Sequence, residues 1–233
     1  MAPQSTRCPT ATGADGATAI LNVAAQLRAS GRREDRRISF GWPSGSGLSG
    51  PSSRRVLVAL VVLLRGVNVG GHRTFRPTTL SKQLKHLDAV NIGAAGTFVI
   101  RQPVTRAQLR AELASRLPFN TEIMICQGRE IVRLMSHNHF AHQPMRPDIV
   151  RFVSVLSQRP RSAPSMPMSF PSNGTWLLKI LARDNRFVVG LYRRHMKVIG
   201  YLGTFDRLFG VPVTTRNWNT MTAIAGVLGK GGA

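Results

Sequence analysis

The chain has 233 residues, of which 42% are apolar and two are cysteine, Cys8 and Cys126. This composition excludes a wholly disordered chain and a disulfide-stapled scaffold, and two cysteines in unlike contexts predict free thiols in a reducing, cytoplasmic setting. The formal net charge of +22 predicts attraction to polyanions, with strong salt dependence.

Residues 1–55 are rich in Ser, Gly and Arg and have no hydrophobic period. They are acid-poor in the manner of a transit peptide, but a disordered basic extension is the preferred interpretation. One alternative is that they are upstream sequence, added by a start codon chosen too early.

The pattern from residue 56 onward predicts a split βαβ unit over residues 56–148. An apolar strand at 56–64 is followed by a glycine loop and by a helix that opens at Pro77. Short strands at 90–93 and 97–101 precede a helix with the T-x-x-Q spacing of a capping box, Thr105 and Gln108. A strand at 122–126 and a helix at 129–135 complete the order. We therefore expect an α+β, ferredoxin-like sandwich, with helices on one face of an antiparallel sheet.

The second half, residues 149–233, predicts another small α+β subdomain. A strand at 149–156 is followed by a loop at 157–172 with four prolines, which is not expected to hold a sheet ladder. Three further elements are predicted after this loop: a hairpin over 176–192, a helix over 201–209 and a final helix that contains Trp218 and Met221.

The positive charge belongs to the folded part as well as to the extension. Residues 56–233 hold 24 Lys and Arg against 7 Asp and Glu. Most of these cations are arginines, which favour bidentate recognition of phosphate or carboxylate. The alternative is that the arginines reflect the base composition of the coding DNA.

No apolar run reaches the roughly 20 residues of a membrane span, so no membrane partner is predicted.

The glycine loop after the first strand is a candidate anion site. Arg65, Gly66, Asn68, Gly70 and Gly71 lie between a strand and a helix, where backbone N–H groups can hold an anion. The spacing matches neither known glycine-rich nucleotide motif, and a tight turn that needs positive φ is the alternative.

The sequence gives little support for catalysis or for metal binding. His137, His139 and His142 form a cluster without a nearby Cys, Asp or Glu, so loop histidines are favoured over a metal site. Cys126 falls in an apolar strand, where a thiol is usually inert. An RNA-recognition surface on the first sheet is disfavoured, because its central strands offer Phe98 as their sole aromatic residue. No metal and no cofactor are predicted, and enzyme status stays open.

The stretch TTRNWNT, residues 214–220, is the second candidate. Asn217 and Asn219 favour a helix cap, and Arg216 beside Trp218 would suit an anion held against an aromatic face. The alternative is a structural cap and a core tryptophan.

The two motifs together, LLRGVNVGGH and TRNWNT, resemble the bacterial family catalogued as domain of unknown function 1697. The resemblance spans about residues 58–229. It implies a two-part α+β fold with ferredoxin-like halves and no established activity. Many members of that family have a Q-S-G-N turn where this chain has Ala94, Ala95, Gly96 and Thr97, which is typical of a divergent subgroup.

The preferred hypothesis is a non-catalytic module for an anionic partner, either a phosphorylated small molecule or a nucleic-acid backbone. An enzyme for a phosphorylated or carboxylated metabolite and a protein-interaction module are the alternatives. The predicted ligand-binding set is Arg65, Gly66, Asn68, Gly70, Gly71, Arg216, Asn217, Trp218 and Asn219.

Overall fold

The computed structural model describes residues 59–68, 75–160 and 164–229. The prediction for residues 1–55 lies outside these ranges. The strands are β1 (Leu60–Leu64), β2 (Ala89–Asn91), β3 (Thr97–Ile100), β4 (Ile123–Gln127), β5 (Ile149–Leu156), β6 (Met168–Phe170), β7 (Leu178–Asp184), β8 (Phe187–Arg193) and β9 (Val213–Asn217). The helices are α1 (Pro77–Gln83), α2 (Arg106–Arg116), α3 (Gly128–Ser136), α4 (Lys197–Gly203), α5 (Phe205–Phe209) and α6 (Trp218–Gly229), with a 3-10 turn at Lys85–Leu87.

The first sheet has the strand order β2-β3-β1-β4, and every neighbouring pair is antiparallel. Helix α2 begins at the predicted capping box: Gln108 N donates to Thr105 Oγ1 at 3.2 Å, and Thr105 N donates to the Gln108 side chain. All five residues of β1 are buried, because both faces of this sheet are covered.

The second sheet has the order β6-β7-β8-β5-β9 and is also antiparallel. The prediction of a mixed α+β protein with antiparallel sheets is confirmed. Strands β5 and β8 pair over seven positions, from Ile149 opposite Arg193 to Val155 opposite Phe187.

Three apolar layers hold these elements together. Helices α1 and α2 cover one face of the first sheet, and α4 and α5 cover one face of the second. The middle layer joins the remaining face of each sheet with α3 and α6; its members include Val61, Leu63, Val153, Val189, Leu191 and Ile224. The two halves of the chain therefore share one core layer.

One prediction about the second half was wrong, and one strand was missed. The proline-rich stretch does hold a short strand, because β6 is an edge strand and its prolines, Pro167 and Pro171, flank the paired residues. Residues 213–217 form an edge strand, β9, and are not simply the approach to the last helix. Thr214 and Thr215 have the β-branched side chains that suit a strand, a signal that the capping pattern obscured.

Replacement of Gly190 by alanine is expected to destabilise the fold. A Cβ at this position of β8 would meet Lys179 O at 2.4 Å and the ring of Phe152 at 2.5 Å, and a backbone oxygen cannot move away cheaply. We expect Gly190→Ala to lower the free energy of unfolding by roughly 1–3 kcal/mol in urea titrations.

Gly226→Ala is the matched control. Gly226 lies in α6 with nothing within 4 Å of its would-be Cβ, so alanine there should stabilise the protein by about 0.5–1 kcal/mol. Equal stability changes in the two variants would contradict the packing described for β7 and β8.

Candidate functional site

The two sequence motifs meet at the turn between β2 and β3. Arg216 on β9 lies opposite Val153 of β5, so its side chain points from the second sheet toward the first. There it reaches the end of β1 and the turn that contains Ala95. We call this contact region the junction; it comprises Leu64–Asn68, Gly93–Thr97 and Arg216.

The guanidinium of Arg216 is fully buried and makes five hydrogen bonds. Its acceptors, all within 2.9 Å, are Oγ1 of Thr97 and Thr214 and the carbonyl oxygens of Leu64, Ala95 and Thr215. A guanidinium has five N–H donors, so each donor of Arg216 has a partner within the protein.

All five of these acceptors are neutral. Because burial disfavours the charged form, it lowers the pKa of Arg216 to about 10, which still leaves the side chain protonated at neutral pH. The charge is stabilised by converging oxygen dipoles and not by a counter-ion. An anion would have to displace one of these bonds, so the prediction that Arg216 itself binds a ligand does not agree with the geometry.

Asn68 holds the same turn from the other side. Its Nδ2 donates to Ala94 O and its Oδ1 accepts from Phe75 N, both at 2.8 Å. Its backbone has φ of 56°, a left-handed conformation that asparagine tolerates better than most residues. The Asn68 amide is therefore occupied in joining the loop to the turn.

The described glycines of the junction support the tight-turn interpretation. Gly66 and Gly96 have φ of 62° and 66°. A Cβ on Gly96 would lie 2.6 Å from Val67 Cγ2 and 3.0 Å from Leu64 Cβ. Both positions favour glycine, because a side chain is strained at a positive φ. Gly70 and Gly71 lie outside the described residues.

Arg65 is paired within the protein as well. Its Nη2 lies 2.5 Å from Asp206 Oδ2 on α5, and the other oxygen of that carboxylate accepts from Val213 N. The Arg65 side chain is 15% exposed. The structure therefore brings Arg65, Asn68 and Arg216 into one neighbourhood, and each is engaged by other parts of the chain.

The remaining predicted residues surround the start of α6. Asn217 Oδ1 accepts from Thr220 N and from Thr220 Oγ1 at 2.8 Å, which confirms the predicted cap. Trp218 is half-buried and packs edge-to-face on Phe140, with ring centroids 4.8 Å apart. Asn219 is exposed.

The other groups singled out in the sequence have structural roles. Burial raises the pKa of Cys126 to about 12, so this thiol is not a nucleophile at neutral pH. His137 and His139 contact the carbonyl oxygens of Arg133 and Leu134 at the end of α3. Within the ranges that the structure describes, no three His, Cys, Asp or Glu side chains are arranged to hold a metal ion.

Sequence reasoning missed a group of cations and aromatic rings on the second sheet. Arg151 Cζ lies 4.9 Å from the ring centre of Phe140, and Arg193 Cζ and Lys179 Nζ lie 4.8 and 5.6 Å from that of Trp176. We call this group the basic–aromatic cluster; it comprises Phe140, Arg151, Trp176, Lys179, Arg193 and Trp218. Its members come from five separate segments of the chain, so no local sequence spacing indicates the cluster.

Arg216→Lys is expected to destabilise the protein without removing the charge. Lysine has three donors in place of five, so at least two buried acceptors lose their partners. We expect the free energy of unfolding to fall by roughly 2–5 kcal/mol in urea titrations. Arg207→Lys, at an exposed position of α5, is the control and should stay within about 0.5 kcal/mol of the wild type. If the Arg216→Lys variant were as stable as the wild type, the structural role of Arg216 would be contradicted.

Substitutions of Asn68 separate backbone strain from lost hydrogen bonds. Asn68→Gly removes the two bonds but suits the left-handed backbone, whereas Asn68→Ala removes the bonds and adds strain. Thermal and urea unfolding should show the alanine variant less stable than the glycine variant by about 1 kcal/mol. The reverse order would contradict the observed loop conformation.

The chain is similar to a protein family of unknown function and to a solved bacterial structure. The model of the family described as "Protein of unknown function (DUF1697)" matches residues 57–170. The structure of "conserved bacterial protein SP0830 from Streptococcus pneumoniae" is similar at 14% identity and a TM-score of 0.49, over 73% of this chain and 98% of that one. Among curated proteins, no match was found. Over residues 57–170 the chain thus resembles the DUF1697 family of proteins of unknown function.

Proposed function

We propose that the protein is a non-catalytic module that binds an anionic partner, either a phosphorylated small molecule or a nucleic-acid backbone. The exposed cations would bind this partner, and Arg216 would position the turn of the junction without touching it. This changes the assignment of Arg216 from a ligand-binding residue to a residue that stabilises the fold.

The supporting observation is how the few carboxylates are used. Residues 56–233 contain 7 Asp and Glu against 24 Lys and Arg. Five of the seven carboxylates, Asp88, Glu112, Glu130, Asp148 and Asp206, already pair with Arg or His. Even when all seven carboxylates are counted against the cations, residues 56–233 keep a formal charge of 24 − 7, or +17. A surface of this kind concentrates anions around it.

The state of the Cys126 thiol favours binding over catalysis. The thiol of Cys126 is buried, with its pKa raised to about 12. The enzyme alternative would need a reactive group elsewhere.

Three finer assignments accompany this proposal. The order β2-β3-β1-β4 supports a ferredoxin-like arrangement for residues 56–148, with 149–233 as a second subdomain. The free thiol of Cys126 supports a cytoplasmic location. No helix among residues 59–68, 75–160 and 164–229 is long and apolar enough to cross a membrane.

The proposal is tested by direct binding to two anionic probes. The full chain is titrated with inorganic pyrophosphate and with a fluorescent thymidylate oligomer of about 20 nucleotides, at about 50 mM and about 200 mM salt. We expect measurable binding of at least one probe, weakened about tenfold or more at the higher salt for the oligomer. No binding of either probe at low salt would overturn the proposal.

Arg216→Lys provides the internal control for the role assigned to that residue. At a temperature well below its thermal unfolding midpoint, this variant should bind the same probe with the same affinity as the wild type. The reason is that the Arg216 guanidinium faces acceptors inside the protein. Loss of binding in the folded variant would instead place Arg216 in contact with the ligand.

A further inference from the structure

We propose that the anionic partner is a single-stranded nucleic acid and that it lies across the basic–aromatic cluster of the second sheet. This inference rests on the proposed function and specifies its partner and its surface. The observations that carry it are the register of three strands and the placement of cations over aromatic rings.

The cations of the cluster lie on one face of three adjacent strands. Arg151 of β5 and Lys179 of β7 both lie opposite Leu191 of β8, so they occupy one row across the sheet. Arg193 lies two residues along β8, opposite Ile149. Since side chains alternate between faces, all three cations share the face that carries Leu191. Leu191 itself is fully buried in the middle core layer, and the three cations are the partly exposed side chains at the margin of that layer.

The spacing of this row suits an extended polymer. Two strand spacings separate Arg151 from Lys179, which places their backbones about 10 Å apart. Arg151 lies over Phe140 and Lys179 lies over Trp176, so different rings hold the two cations apart. Two phosphate groups of one extended chain can each meet one of these cations, whereas a single small anion is less able to contact both.

The local charge remains positive after internal pairing is counted. Asp148 is the carboxylate that pairs with the cluster, and it contacts both Arg146 at 3.0 Å and Arg193 at 3.2 Å. No ion pair with a carboxylate is seen for Arg151 or Lys179 in the part of the chain that the structure describes. Both side chains are partly exposed and can therefore reach a phosphate.

The rings distinguish a nucleic acid from other polyanions. Trp176 and Trp218 are each half-buried, so part of each indole faces outward beside the cations. Cationic grooves lined by aromatic side chains bind single strands, because unpaired bases stack on the rings while the backbone meets the charges. In a duplex the bases are already stacked on one another, so single strands should be preferred.

The test compares two variants that lose the same charges. Arg151→Gln/Lys179→Gln alters the cluster, and Lys82→Gln/Arg110→Gln removes one Lys and one Arg at exposed positions of α1 and α2, on the far face of the first sheet. Each full-length protein is titrated with the fluorescent thymidylate oligomer at several salt concentrations. The cluster variant should bind at least about tenfold more weakly, with a salt slope lower by about 1–2, whereas the control should change by less than about threefold. Unfolding midpoints establish that both variants are folded.

Trp176→Phe and a change of probe test the stacking component. The oligomer should quench tryptophan fluorescence in the wild type, and the share of this quenching that comes from Trp176 should disappear in Trp176→Phe, which keeps the charges and Trp218. Duplex DNA and inorganic polyphosphate, which offer no unpaired base, should bind more weakly than the oligomer and cause little quenching.

The outcomes separate this inference from the proposed function. Equal weakening of the cluster and control variants would overturn the assigned surface while anion binding stands. Polyphosphate or duplex binding as tight as that of the oligomer, with no role for Trp176, would overturn the single-strand assignment. Binding of the oligomer that is lost selectively in the cluster variant would support both.

Discussion

The five hydrogen bonds of Arg216 are the constraint on which the middle of the molecule depends. A buried guanidinium without a carboxylate is tolerable only if every N–H meets an acceptor, because an unmatched donor next to a buried charge is costly. Two of its three carbonyl acceptors, those of Leu64 and Ala95, lie at the end of β1 and in the β2–β3 turn. The side chain therefore fixes where the two sheets face each other.

This constraint explains residue choices that are far apart in the sequence. Leu64 and Arg216 are separated by 152 positions. Thr97 and Thr214 supply hydroxyl acceptors on either side of the guanidinium. Gly96 lets the turn approach Leu64 and Val67 more closely than any side chain would permit. Asn68 then holds Ala94 from the opposite side. The two motifs, which look like halves of a ligand site in the sequence, are thus joined to each other by hydrogen bonds inside the protein.

The sequence predicts most of the helices and strands, but it does not predict that the charged side chain of Arg216 is buried. Periodicity and the capping box at Thr105 locate α2 correctly because those signals are local. The edge strands β6 and β9 escape prediction, because prolines and capping residues dominate the local pattern there while pairing across the sheet decides the outcome. Arg216 contacts the end of β1 and the β2–β3 turn, and its burial is a tertiary property that no sequence spacing reveals.

Three arginines of the described residues illustrate three environments, and the environment decides whether an arginine can meet a partner. Arg216 is fully hydrogen-bonded inside, and Arg65 is neutralised by Asp206. Arg151 lies over an aromatic ring at the edge of the core, where the ring polarises toward the cation without satisfying its N–H groups. A cation held in this way keeps its position and still has donors for a phosphate. Arg65 and Arg216, which lie in the sequence motifs, are therefore committed to the fold, whereas Arg151 lies on a strand outside both motifs and keeps N–H donors that a partner could reach.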